Sequence, residues 1–113
     1  MINGDAYSVS VIMARLGSQA ASGAMRFTVH AHQEMIDEGI TLEEVRHVLL
    51  GARIVENYPD HRRGPCCLAC GRTGRGRYVH VVCTTSLEVA IIITVYEPHP
   101  PKWVDPFERR RSE

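Results

Sequence analysis

The chain is poor in lysine, in net charge and in long apolar runs, and each shortage excludes something. Of the 13 basic residues only Lys102 is lysine, and they are matched by 13 acidic residues. The whole molecule therefore carries no strong field to steer it toward nucleic acid or a membrane. The aliphatic run from Val89 to Ile93 falls far short of the ~20 residues that cross a bilayer. The first residues do not form a charged start followed by a long apolar stretch and a small-residue cleavage site, so a cytoplasmic protein with no membrane partner is expected. In that compartment Cys66, Cys67, Cys70 and Cys83 are expected as reduced thiols rather than as a disulfide framework. There is no repeat and no low-complexity tract. The 113 residues suffice for one domain, 1–113, with a core over about 8–104 and a flexible tail over 105–113.

What is present is unevenly placed. Residues 30–50 hold Glu34, Asp37, Glu38, Glu43 and Glu44 against Arg46 alone. Residues 53–80 hold Arg53, Arg62, Arg63, Arg72, Arg75 and Arg77 against Glu56 and Asp60. Arginine presents a planar fork that suits phosphate and carboxylate; codon bias in a GC-rich genome accounts for the same preference.

Periodicity divides the chain into helices and then strands. Val9, Ile12, Met13 and Leu16 recur at helical spacing and predict a short amphipathic helix over 8–16, followed by a loop or frayed end over 17–23. Residues 24–28 lead into a helix from about Val29 to Glu38, stopped by Gly39. Thr41-Leu42-Glu43-Glu44 has the form of a capping box, which starts a third helix with Leu42, Val45, Val48 and Leu49 on one face and Gly51 as a left-handed cap. The period then becomes two. Strands are expected over 52–58, 66–72, 77–85 and 89–96, ended by Pro98, Pro100 and Pro101, with Trp103 folding back over an edge of the core. This order predicts an α+β fold: two or three N-terminal helices packed on one face of a three- to four-stranded antiparallel sheet.

Residues 71–96 concentrate the chemistry. Arg72, Arg75, Arg77, His80, Thr94 and Tyr96 are set into two apolar strands. Cleaving RNA without a metal requires a base, an acid and cations around the phosphorane. In that reading His80 is acid or base, Arg72 and Arg77 hold phosphate, and Tyr96, Thr94 and Arg75 contact substrate. His30, one helical turn before Glu34, is a second, weaker acid or base. The plainer readings stand beside these: a packed histidine, a solvated hairpin end, a half-buried tyrosine and a surface helical pair. Cys67 and Cys70 are three apart on a strand, so their thiols point to opposite faces and do not converge on zinc. No metal and no cofactor is expected.

Several pieces form an ordered set: F-T-V-H-A at 27–31, Met35 with Gly39-Ile40, T-L-E-E-V at 41–45, G-R-T-G-R-G-R-Y-V-H-V-V at 71–82, I-T-V-Y-E-P at 93–98 and K-W at 102–103. This set resembles the small bacterial family catalogued as domain of unknown function 4258, over roughly residues 8–104. The resemblance implies a RelE-like arrangement and the toxin half of a toxin–antitoxin pair. Such a toxin would act on RNA, free or on the ribosome, by metal-independent cleavage, and would be neutralised by an antitoxin of zinc-finger type. The chain departs from the pattern at Glu34 and Glu38, where relatives commonly carry arginine. The alternative is a non-catalytic interaction module, or a degenerate toxin of the same fold.

Overall fold

A computed structural model describes residues 8–62 and 64–110. Arg63, counted above in the basic segment, and tail residues 111–113 lie outside the described residues. Three helices, α1 (Val9–Ser22), α2 (Val29–Glu38) and α3 (Leu42–Leu50), are followed by strands β2 (Arg53–Tyr58), β3 (Cys66–Arg72), β4 (Tyr78–Thr84) and β5 (Ala90–Tyr96). A short strand β1 (Met25–Phe27) lies between α1 and α2, and β6 (Trp103–Asp105) and β7 (Glu108–Arg109) form a terminal hairpin. The fold is α+β. Among the described residues no helix is long and apolar enough to cross a membrane.

α1 extends six residues beyond the expected 16, through Gly17. Glycine weakens a helix interior by about 1 kcal/mol, but here it lets α1 approach α3: a Cβ on Gly17 would stand 3.7 Å from the Leu50 carbonyl oxygen. The buried stripe is Ile12, Leu16, Gln19 and Ala20, while Val9 and Met13 are exposed. Thr28 caps α2 and Gly23 and Gly39 close α1 and α2 with positive φ. The capping box forms as read: the Glu44 N–H donates to Thr41 Oγ1 and the Thr41 N–H donates to Glu44 Oε1, each at 3.0 Å. Gly51 departs from expectation. Its φ is −135°, so α3 runs directly into β2 without a left-handed turn. Leu42, placed on the apolar face by spacing, is exposed; Val45, Val48 and Leu49 are buried.

The sheet is wider than expected and mixed. Its order is β1-β5-β4-β3-β2, with β1 parallel to β5 and every other pairing antiparallel. Three residues are too few for a period to show, and β1 pairs with a strand about 65 residues away, so only the tertiary fold creates it. The helices cover one face. Ile12, Leu16, Ala31, Met35, Val45, Val48 and Leu49 pack there against Cys67, Ala69, Val79, Val81, Cys83, Ile92 and Val95. A bulge in β5 sets Ile92 and Val95, three apart, on that same face. Cys67 faces this core opposite Cys83, and Cys70 is paired with His80 on the other face.

The expected flexible tail is largely a structured strap. The hairpin of β6 and β7 crosses the face opposite the helices, with Trp103 2% exposed. Phe107 meets Tyr78 edge-on at 5.6 Å between ring centres, and the Arg53 guanidinium lies 4.4 Å from the Phe107 ring. Arg109 stacks on Trp103 at 4.7 Å and binds Glu56 at 2.8 and 3.0 Å. The partners are side chains on distant strands, which is why the tail sequence alone reads as solvated.

Gly71 marks the tightest contact between sheet and helices. A Cβ there would stand 2.9 Å from both Cγ1 and the carbonyl oxygen of Val48, whereas nothing lies within 4 Å at Gly74. Gly71→Ala should destabilise the fold by about 1–3 kcal/mol in urea unfolding, and Gly74→Ala should leave the midpoint nearly unchanged.

Candidate binding groove beside strand β5

The residues nominated by sequence divide into two groups. The first is at the turn between β3 and β4. Arg77 reaches back to the end of α2, donating to the Glu38 carbonyl oxygen at 3.3 Å and to that of Gly39 at 2.8 Å. It also approaches Glu97 at 3.5 Å and Glu44 at 3.8 Å. This is a helix C-terminus satisfied by a cation. Arg75 pairs with Glu44 at 3.1 Å. Arg72 donates to the Gly76 carbonyl oxygen at 3.1 Å, and its guanidinium carbon lies 5.7 Å from the Tyr78 ring centre. Burial alone would raise the Glu44 carboxyl; the Thr41 N–H, Arg75 and Arg77 outweigh it and hold the group below its usual range. The three arginines therefore serve internal partners and do not converge with His80 on one phosphate-sized space.

The second group does come together. A groove of about 350 Å³ beside β5 is lined by Thr94, Tyr96, Glu97, His99, Lys102 and Trp103, with Glu34 and Glu38 from α2. Two of the expected substrate contacts, Thr94 and Tyr96, are in it. His30 is linked to it through Glu34, at 3.3 Å.

Both helix carboxylates are fixed by the strand. Glu34 Oε1 accepts the Val95 N–H at 2.9 Å, and Glu38 Oε1 accepts the Glu97 N–H at 2.8 Å. One helical turn separates the two glutamates and one residue, Tyr96, separates the two donors, so α2 runs along the edge of β5 in register. A basic side chain could not accept these donors. The two positions at which the sequence departs from its resemblance thus have a structural role, and they give the groove its acidic wall.

His80 lies behind Tyr96 and is 0% exposed. Its Nε2 is 2.6 Å from the Pro106 carbonyl oxygen and its Nδ1 is 3.1 Å from the Tyr96 hydroxyl. A carbonyl can only accept, so Nε2 carries the proton and Nδ1 of the neutral ring accepts from the tyrosine O–H. Trp103 closes the remaining side at 4.4 Å between ring centres. Burial pushes the imidazole below its usual pKa, against the raising pull of the Pro106 carbonyl and Glu56. Burial likewise raises the Tyr96 hydroxyl. In this arrangement His80 contacts no open space. Tyr96 and Trp103 stand between it and the groove, and Tyr96 is its hydrogen-bonded link.

The sequence reading missed Glu97, His99, Lys102 and Trp103 as wall residues. They follow or flank prolines, and no local spacing connects them to α2. Among the described residues no three His, Cys, Asp or Glu side chains converge as metal ligands. Compared with known proteins, residues 27–97 match the family model described as domain of unknown function (DUF4258). No curated protein and no solved structure matches the chain.

Because His80 is held neutral in the folded state, its protonation opposes folding. The unfolded histidine takes up a proton near pH ~6.5, whereas the folded one resists until lower pH. Stability should be complete above ~6.5 and fall as pH drops below it. The melting temperature of the wild type should therefore decline between pH 7 and pH 5. His80→Gln should start lower and show a flatter decline; an equal slope in both proteins would remove His80 as the cause.

Proposed function

We propose, from the premise that the chain belongs to the DUF4258 family, that it is a non-catalytic interaction module whose groove beside β5 receives a basic segment of a protein partner. One observation carries this reading: with Glu97 offset by Arg77, the groove still sets Glu34 and Glu38 against a single lysine, Lys102, with His99 beside it. A phosphate chain entering there would meet net negative charge, and an arginine or lysine would meet carboxylates next to the ring of Tyr96. The helices-first order fits a RelE-like relative, and where the family resemblance gives arginine this chain has Glu34 and Glu38, which accept N–H groups of β5 and its end. In a toxin–antitoxin setting the module would bind in the cytoplasm as a degenerate toxin, and a zinc-finger antitoxin with a basic segment would suit the groove.

A metal-independent RNA-cleaving toxin is the second reading, and one observation favours it. Tyr96 lines the groove and its hydroxyl bonds to His80, which would give a proton a route between a buried imidazole and a bound substrate. In that reading Tyr96 touches the substrate, Lys102 supplies the charge on phosphate, and His80 acts through the tyrosine.

The two readings separate in binding and in growth. A fluorescent oligo-arginine peptide should bind the wild type saturably. Glu34→Gln/Glu38→Gln, which keeps an oxygen to accept each strand N–H, should weaken it by about tenfold or more, in line with the strength of charge-assisted contacts. Single-stranded RNA should show no saturable binding to the wild type. Growth arrest with RNA loss on expression in a bacterial host, abolished by His80→Ala/Arg77→Ala at matched soluble protein, would overturn the module and support cleavage.

A further inference from the structure

The face of the sheet opposite the helices is only half covered by the strap. Its other end forms a cradle of about 630 Å³, the residues of which play no part in the groove beside β5. We propose that this cradle is a binding site for a small amphipathic anion, an apolar carboxylate of the fatty-acid class.

The floor comes from adjacent strands: Val82 on β4 and Ile91 and Ile93 on β5, with Leu87 rising from the connection between them. Leu87 is 48% exposed, so an apolar surface stands in solvent where a ligand chain would cover it. The polar atoms on the floor are mostly engaged within the protein. Thr84 Oγ1 accepts the Ile91 N–H at 3.0 Å, and Thr28 Oγ1 donates to the Ile93 carbonyl oxygen at 3.1 Å. Apart from the Thr84 O–H, which can still donate, the floor presents hydrocarbon rather than partners for a sugar or base edge.

The rim supplies the sign of the charge. Arg62 stands at the edge beside His61. No carboxylate among the described residues pairs with Arg62, and no Asp or Glu is among the described residues that line the cradle. This is the reverse of the groove beside β5. An exposed guanidinium above an apolar floor suits a carboxylate head on an apolar tail.

The walls are fastened. The Thr85 N–H donates to the Pro65 carbonyl oxygen at 3.2 Å and ties the two rim loops together. Gln19 Nε2 donates to the carbonyl oxygens of Leu87 and Glu88 at 2.8 and 2.9 Å, anchoring the second loop to α1. The volume falls within the ~300–1,000 Å³ of pre-formed small-molecule sites.

Decanoate tests the proposal by calorimetric titration and by displacement of anilinonaphthalene sulfonate from the wild-type chain. Saturable one-to-one binding is expected, with decanol, which lacks the charge, several-fold weaker. Arg62→Glu, at an exposed position that leaves folding intact, should weaken decanoate about tenfold and leave decanol unchanged. Ile93→Trp should fill the floor and abolish both. Glu34→Gln/Glu38→Gln should leave decanoate binding unchanged, so this site stands or falls apart from the groove beside β5. No saturable binding, equal binding of decanoate and decanol, or binding insensitive to both Arg62→Glu and Ile93→Trp would overturn the proposal.

Discussion

The edge of β5 is the constraint from which most of the structure follows. β1 pairs with only Ala90 to Ile92, so the second half of a central apolar strand would otherwise present bare N–H groups on that side. An unpaired edge of this kind invites association with other chains. The fold covers it with α2, and the acceptors are carboxylates at Glu34 and Glu38. That solution fixes where α2 lies, keeps β5 in register with the helix, and places negative charge along one wall of the groove that Thr94 and Tyr96 line.

A second consequence concerns the arginines. A chain with balanced charge can still present a basic surface if its acids are elsewhere. Here they are not, because Glu44 meets Arg75, Glu97 meets Arg77 and Glu56 meets Arg109. Arg77 also completes the end of α2, so its charge serves the helix carbonyls. Exposed pairs of this sort contribute little stability each. Their effect on recognition is larger, since they leave few uncompensated cations on the face opposite the helices, Arg62 among them.

That face is divided by the strap. His80, Tyr96 and Trp103 form one packed cluster under it, and the Glu56–Arg109 pair holds its far end. Arg109 keeps Glu56 below the usual carboxylate range, against the opposing effect of burial. The sealed half becomes a second small core, with a neutral imidazole as its polar centre. The open half remains an apolar cradle. One sheet thus offers two environments of opposite charge, the groove acidic and the cradle basic.

The sequence by itself determined what depends on near neighbours. α2, the capping box at Thr41 and Glu44, strand β3 and the α+β class follow from spacing and capping, which act over a few residues. It also brought Thr94 and Tyr96 to notice together, because alternate residues share a face of a strand. Only the tertiary structure decided what depends on pairs distant in the chain. β1 exists because β5 is there to receive it, and α1 continues through Gly17 because α3 packs against it. Residues 103–110 are ordered because Tyr78, His80, Glu56 and Arg53 hold them. His80 reads the same in sequence whether it is buried or at an active surface, since both require a histidine among valines. Burial and hydrogen bonding from Pro106 and Tyr96, some 26 and 16 residues away along the chain, put it inside the molecule.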